Sequence, residues 1–282
     1  MAARGEAAAV AWDNGDAIGH GQANPMSELR YRGSLSMTMT TEDTVLDGRV
    51  KLTQPVRGYR AGLDAALLAA ACDASAGQRV IEAGCGAGGA LLAAAVRRPQ
   101  ARFTGIERDP AALALAQTNI AANGLADRVE ALAGDVALRF AGLGLVAFDA
   151  ALANPPFFDD PDALRGPAQE RRDAWMADDG LEAWVGFLSK AVSEGGTITL
   201  IHRADRLGDL LALLAAKCGS CQVRPIHPFA DQPAKRVLVR AVKTGKAPLR
   251  LLPALVLHDR DGGKHSAEAE AILRGEAALA WD

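Results

Sequence analysis

Four consecutive residues near the middle of the chain, Asn154-Pro155-Pro156-Phe157, have the types and spacing to handle a planar amine. An exocyclic amine conjugated to a ring or a carbonyl is a poor nucleophile because its lone pair is delocalised. Two oxygen acceptors aimed at its two hydrogens localise that pair and point it at a methyl donor. The Asn154 side-chain oxygen and the Pro155 carbonyl can supply them, since consecutive prolines hold the backbone stiff and extended. Phe157 offers a flat apolar face on which a planar substrate can stack. No general base of displaced pKa is required, because the proton can leave after the transfer. Out of context Asn-Pro-Pro is only a turn signal. Its place after a strand and downstream of a glycine loop favours the catalytic reading.

That glycine loop is Glu82-Ala-Gly84-Cys-Gly86-Ala-Gly88-Gly89, which follows a strand and opens a helix. Glycines there let the backbone turn tightly and approach a ligand with no Cβ in the way. Gly84, Gly86 and Gly89 also satisfy GxGxxG, so spacing alone does not separate a dinucleotide from S-adenosylmethionine. A carboxylate at Glu82 would repel a pyrophosphate and suits the sulfonium and amino group of S-adenosylmethionine. Glu107, ending the next strand, can accept both hydroxyls of a ribose, a feature that NAD enzymes share. The competing role is a helix N-cap, for which Asp109 before Pro110 is as good a candidate. Asp135, in Gly134-Asp135 after the third strand, is placed to bond the adenine amine of a cofactor. Cys85 reads as a small packing residue within the loop.

The elements that must position these residues alternate regularly. Asp64 begins a helix, where a carboxylate is favoured. Strands are expected over 79–83, 101–107, 129–135, 148–153 and 197–202, with helices over 88–97, 110–122, 180–192 and 205–217. Two further strands, 221–228 and 236–242, look like a hairpin. This βαβ pattern predicts an α/β fold, Rossmann-like, with a mostly parallel seven-stranded sheet and an antiparallel strand from the C-terminal hairpin. Residues 1–40 show no hydrophobic period and read as a disordered extension, or as sequence upstream of an internal start such as Met26 or Met37. Residues 41–247 form the main domain with its lead-in. Residues 248–282 read as a strand, a turn at Gly262-Gly263 and a helix packed on the same domain.

Composition narrows the partners. Of 282 residues 49% are hydrophobic and only 5% aromatic, so the core must be built from small aliphatic side chains. The formal net charge is −3, so nucleic acid would have to be met by a local basic patch. Arg165, Arg171 and Arg172 follow the Asn154 loop, and Lys235, Arg236, Arg240, Lys243, Lys246 and Arg250 gather near the last long strand. Gln169-Glu170 brings acid among them, so half or more can be plain solvated faces. Trp175, Trp184 and Trp281 read as packing residues. Cys218 and Cys221 make one CxxC with no second ligand pair, so no metal is expected. No membrane span or signal peptide is visible, and a soluble, cytoplasmic protein is expected.

In this order, E-x-G-x-G-x-G, the acidic strand end and N-P-P-F resemble the amino-methyltransferases of the class I Rossmann-like superfamily, from about Thr41 to Lys243. The segment from Gly58 to Ala69 and the C-terminal stretch from Asp261 to Gly275 are similar to the bacterial tRNA1(Val) adenine-N6 methyltransferases. The resemblance implies S-adenosylmethionine as cofactor, held by Glu82, Gly84, Gly86 and Glu107, with Asp135 on its adenine. Gly88, Asn154 and Asp64 join that cofactor-contacting set. It implies that Asn154, Pro155, Pro156 and Phe157 hold an adenine of tRNA, with Arg165, Arg171, Arg172, Lys235 and Arg236 on the RNA. The N-terminal extension and a Glu at the start of the glycine loop depart from the family pattern. Alternatives are methylation of a release-factor glutamine, of guanine N2 in ribosomal RNA or of adenine in DNA. A catalytically silent scaffold and a nicotinamide dehydrogenase complete the set; the Asn154 loop speaks against the first and Glu82 against the second.

Overall fold

The computed structural model describes residues 39–56, 60–156, 180–261 and 263–282. The extension up to residue 38, Phe157, Arg165, Arg171, Arg172, Trp175 and Gly262 fall outside them. The lead-in is an antiparallel hairpin of β1 (Thr40–Val45) and β2 (Val50–Pro55), followed by α1 (Leu63–Ala70). Then come β3 (Arg79–Ala83), α2 (Gly89–Arg97), β4 (Arg102–Glu107), α3 (Pro110–Ala122), β5 (Val129–Ala133) and β6 (Phe148–Ala153). After the undescribed stretch follow α4 (Leu181–Ala191), β7 (Val192–Arg203), α5 (Leu207–Ala215), β8 (Cys218–His227) and β9 (Arg236–Lys243). The tail adds β10 (Arg250–Leu251), β11 (Leu255–Val256) and α6 (Ala267–Arg274).

The main sheet runs β10-β8-β9-β7-β6-β3-β4-β5, with β11 also on β8. Every pairing is parallel except those of β9, which lies antiparallel between β7 and β8. The expected seven strands are therefore β3 to β9, and the sheet is larger than expected by the two short tail strands. They occupy the outer edge of β8, whose backbone groups would otherwise face solvent as an open template. Strands covered on both faces must be apolar throughout. β3 and β6 show this, each with a single residue short of full burial.

One face of the sheet carries a core with Leu67, Leu91, Leu92, Phe103 and Trp281; the other is centred on Phe148, Trp184, Leu188 and Leu210. Small side chains make the first layer thin. The buried faces of α1 and α2 are mostly alanine, which lets neighbouring helices approach closely. Aromatic packing concentrates on the second face, where Phe140 meets Phe148 and Phe187 edge-on at centroid distances of 6.1 and 5.8 Å.

The hairpin is not part of this sheet. It is fastened to α3 by two asparagines one helical turn apart. Buried Asn119 accepts from Thr53 N (2.9 Å) and donates to Thr53 O and Ala87 O (both 2.9 Å). Asn123 does the same with Lys51, accepting from its N at 2.9 Å and donating to its O at 2.7 Å. Each carboxamide thus stands in for a neighbouring strand's peptide group. Gln54, 2% exposed, then turns inward and accepts from Ala61 N at 2.7 Å.

Candidate active site

Parallel pairing sends the carboxyl ends of β3, β4, β5, β6, β7 and β8 to one rim, where ligands bind in open α/β sheets. The glycine loop leaves β3 there. Gly84, Gly86 and Gly88 have φ of +64°, +55° and +90°, a backbone region that side chains rarely adopt. At Gly84 space is excluded as well, because an added Cβ would lie 2.4 Å from a ring carbon of Trp184. Trp184, on α4, therefore forms the floor of the loop, a role its sequence neighbourhood does not reveal.

Glu107 ends β4 and is almost fully buried. One of its oxygens accepts from Gly86 N and the other from Asp109 N, both at 2.8 Å. Asp109 itself caps α3 by accepting from Ala111 N and Ala112 N, with Pro110 in the first turn. The two acids thus divide the tasks that sequence left open: Asp109 is the helix cap, and Glu107 anchors the glycine loop at the rim. Cys85 packs beneath the loop against Gly105, where a Cβ would meet its sulfur at 2.7 Å. Burial first, then Glu82 and Glu107, push its thiol well above the usual range, so it stays protonated.

Beside the loop lies a small cleft, open to solvent, with Gln54, Ala61, Glu82, Gly84, Ala90 and Asn154 in its walls. Gln54 and Ala61 reach it from the lead-in hairpin and the turn after it, and nothing in their local sequence marks them. Glu82 is 3% exposed, and its Oε2 has no hydrogen-bond partner among the described residues. Burial first, and the Glu107 carboxylate second, push Glu82 well above the usual carboxylate range, against the pull of the Leu91 N–H. A buried acid in this condition is matched to a cationic group entering the cleft. The donor set therefore fits S-adenosylmethionine: an unpartnered buried carboxyl for positive charge, a Cβ-free turn for close approach, and Glu107 oxygens with lone pairs left for hydroxyls.

Asn154 and Pro155 follow β6 directly, so Asn154 shares the cleft wall with Glu82 and Gly84. Asp135 lies two residues past β5, accepts from Ala137 N at 2.9 Å and is paired with Arg108 at 3.8 Å. Asp64, expected on the cofactor, and Arg236, expected on RNA, bond to one another at 3.0 Å. Lys235 is exposed beside them. The rest of the basic group runs down β9 away from the rim: Arg240 pairs with Asp73 at 2.7 Å, and Lys243 donates to Val192 O at 2.8 Å. Cys218 and Cys221 are buried and unlinked, and no group of three or more metal-binding side chains occurs among the described residues. No described helix is long and apolar enough to cross a membrane.

Residues 60–169 match the methyltransferase small domain family. A solved structure from Agrobacterium tumefaciens, described as a predicted O-methyltransferase, superposes with a TM-score of 0.65 at 27% identity, over 77% of this chain and 98% of that one. Fold, glycine loop and family match define a class: this is an S-adenosylmethionine-dependent methyltransferase. A tRNA1(Val) (adenine(37)-N6)-methyltransferase of Porphyromonas gingivalis is 33% identical over 198 residues, 67% of this chain and 77% of its own length. The chain belongs to that family. A release factor glutamine methyltransferase of Moorella thermoacetica is 34% identical over 157 residues, 53% of this chain and 54% of the relative.

Proposed function

We propose that this enzyme methylates N6 of an adenine in tRNA, in the cytoplasm. The observation that carries the reading is the placement of Asn154 in the cleft wall beside Glu82 and Gly84, with Pro155 next to it. Relatives named as tRNA1(Val) (adenine(37)-N6)-methyltransferases match over about two thirds of the chain and support RNA as the substrate class. The release-factor relative spans a shorter stretch, which makes glutamine methylation the second reading.

In this reading S-adenosylmethionine, when bound, supplies an electrophilic methyl group on a sulfonium. Glu82 would hold the cationic end of the donor, Glu107 would accept from its ribose hydroxyls, and Asp135 would accept from its adenine amine. The three glycines Gly84, Gly86 and Gly88 keep side chains out of the way. Asn154 Oδ1 and the Pro155 carbonyl accept the two N6 hydrogens of the target base, so that the nitrogen lone pair points along the line of attack. The methyl group would be supplied by the bound donor, while Asn154 and Pro155 keep the amine oriented and its surplus N6 proton would pass to water afterwards. An adenine held in this way must leave its stack, and the Phe157 face would replace the lost stacking. Arg165, Arg171, Arg172, Lys235 and Arg236 would meet the phosphates around it.

The test is transfer of labelled methyl from S-adenosylmethionine to total tRNA from a strain lacking the gene, followed by nucleoside analysis. Label recovered as N6-methyladenosine is the expected result. An enzyme that binds S-adenosylhomocysteine yet labels release-factor glutamine and not tRNA would replace this reading with the second one.

A further inference from the structure

The far end of the same rim carries rings and a cation that the reaction above does not use. After β8 the chain turns through Phe229, and after β11 it runs through His258, Arg260 and His265. The three rings lie in a row. Phe229 and His258 are 5.4 Å apart and tilted by 45°, and His258 stacks on His265 at 5.2 Å and 23°. The Arg260 guanidinium sits 4.9 Å from the Phe229 ring centroid. Both Asp231 oxygens hold it, at 2.9 and 2.7 Å, although its side chain is 58% exposed. An exposed guanidinium plane fixed over an aromatic ring is a stacking surface for a nucleobase. The His258 ring is fixed as well, its Nδ1 bonding to Lys264 O.

Position on the rim decides what could lie there. β8 is parallel to β6 and three strand spacings from it through β7 and β9; β11 is one further. At about 4.8 Å per spacing the row stands roughly 15–20 Å from Asn154, on the side away from Glu107 and Asp135. A chain whose target base occupies the Asn154 site would cross this region within a few nucleotides. Net charge here is small: Asp231 offsets Arg260, and exposed Asp259 and Asp261 equal in number exposed Lys235 and Lys264. Stacking, rather than attraction to phosphate, is therefore the interaction on offer, and it favours unpaired bases over a duplex.

We propose that Phe229, Arg260, His258 and His265 form a stacking ledge for unpaired RNA nucleotides flanking the target adenine. The proposal rests on the RNA reading above. It is tested by fluorescence anisotropy with a labelled RNA hairpin carrying an adenine in its loop, and with the blunt duplex of its stem. Arg260→Ala and Arg260→Gln alter an exposed side chain, and unchanged S-adenosylhomocysteine affinity verifies their fold. Both should bind the hairpin roughly tenfold more weakly, the order expected for one lost stacked base. Their affinity for the duplex should be unchanged, and in tRNA methylation KM should rise with kcat preserved. Hairpin affinity equal to wild type, or hairpin and duplex weakening together, would overturn the ledge. Wild-type methylation of tRNA alongside an unaltered KM in both variants would remove the ledge and leave the adenine reading standing. Methylation of protein glutamine in place of tRNA would remove both.

Discussion

The two halves of the rim are built differently. On the β3–β4–β5 side, function lies in the backbone: positive-φ glycines, a carboxylate bonded to loop amides, and a turn closed against Trp184. On the β7–β9–β8 side, side chains are brought together in pairs, such as Arg236 with Asp64 and Arg260 with Phe229. The first half is shaped by its own turns and backbone hydrogen bonds. The second presents planes and charges carried on separate side chains. A donor common to many reactions can be met by a fixed backbone cradle. An acceptor that differs between enzymes calls for replaceable side chains.

The sharpest break between the halves should come at their junction, Asn154. Asn154→Ala is expected to lower turnover by about a hundredfold or more while S-adenosylhomocysteine affinity stays near wild type, since the lost acceptor acts mainly in the transition state. Calorimetry beside steady-state kinetics checks this, and wild-type turnover would sink the assigned chemistry. Glu107→Ala tests the opposite half: cofactor affinity should fall roughly tenfold to a hundredfold, as for a charged hydrogen-bond acceptor. Undiminished affinity would refute the ribose role.

Glu82→Gln sharpens the comparison through pH. The folded pKa of Glu82 lies above its unfolded value, so the native state binds the extra proton. Stability therefore declines as pH rises from about 4.3, the unfolded carboxyl value, through the raised folded value. In E82Q that decline should vanish, and the cofactor-free protein should melt a few degrees higher at neutral pH, about 2–4 °C per kcal/mol gained. Its cofactor affinity should drop at the same time. Matching melting profiles for wild type and E82Q across that pH range would show that the acid is not strained. A loss confined to stability is expected from Asn119→Ala, which leaves Thr53 and Ala87 backbone groups unpaired and should cost about 1–3 kcal/mol in chemical denaturation.

The same contrast explains what sequence reading could reach. The places of Glu82, Gly84, Gly86, Glu107 and Asn154 were legible because each sits within three residues of a strand end, where βαβ alternation fixes its place. The strands over 79–83 and 148–153 and the helix over 110–122 coincide with their predicted bounds for the same local reason. Gln54 and Trp184 were not legible as cleft and loop partners, because docking of a separate hairpin and of α4 brings them there. The basic cluster near the last strand looked like one patch in sequence. In space a strand carries Arg236 to the rim and Lys243 to the opposite end, each with an acidic neighbour. Phe229, His258 and His265 meet only because β11 pairs with β8, a contact that no local pattern announces.

The asparagine clamp on the lead-in hairpin also works as a ruler. One helical turn of four residues advances about 6.0 Å, and two strand residues advance about 6.6–6.8 Å. Asn119 and Asn123 can therefore meet Thr53 and Lys51 together, but the mismatch accumulates and a third rung would not align. Two rungs suffice to fix the phase of β2. A slip of one residue would put Thr53 or Pro55 where Gln54 enters the cleft wall, so α3 sets which side chain of a distant strand faces the donor.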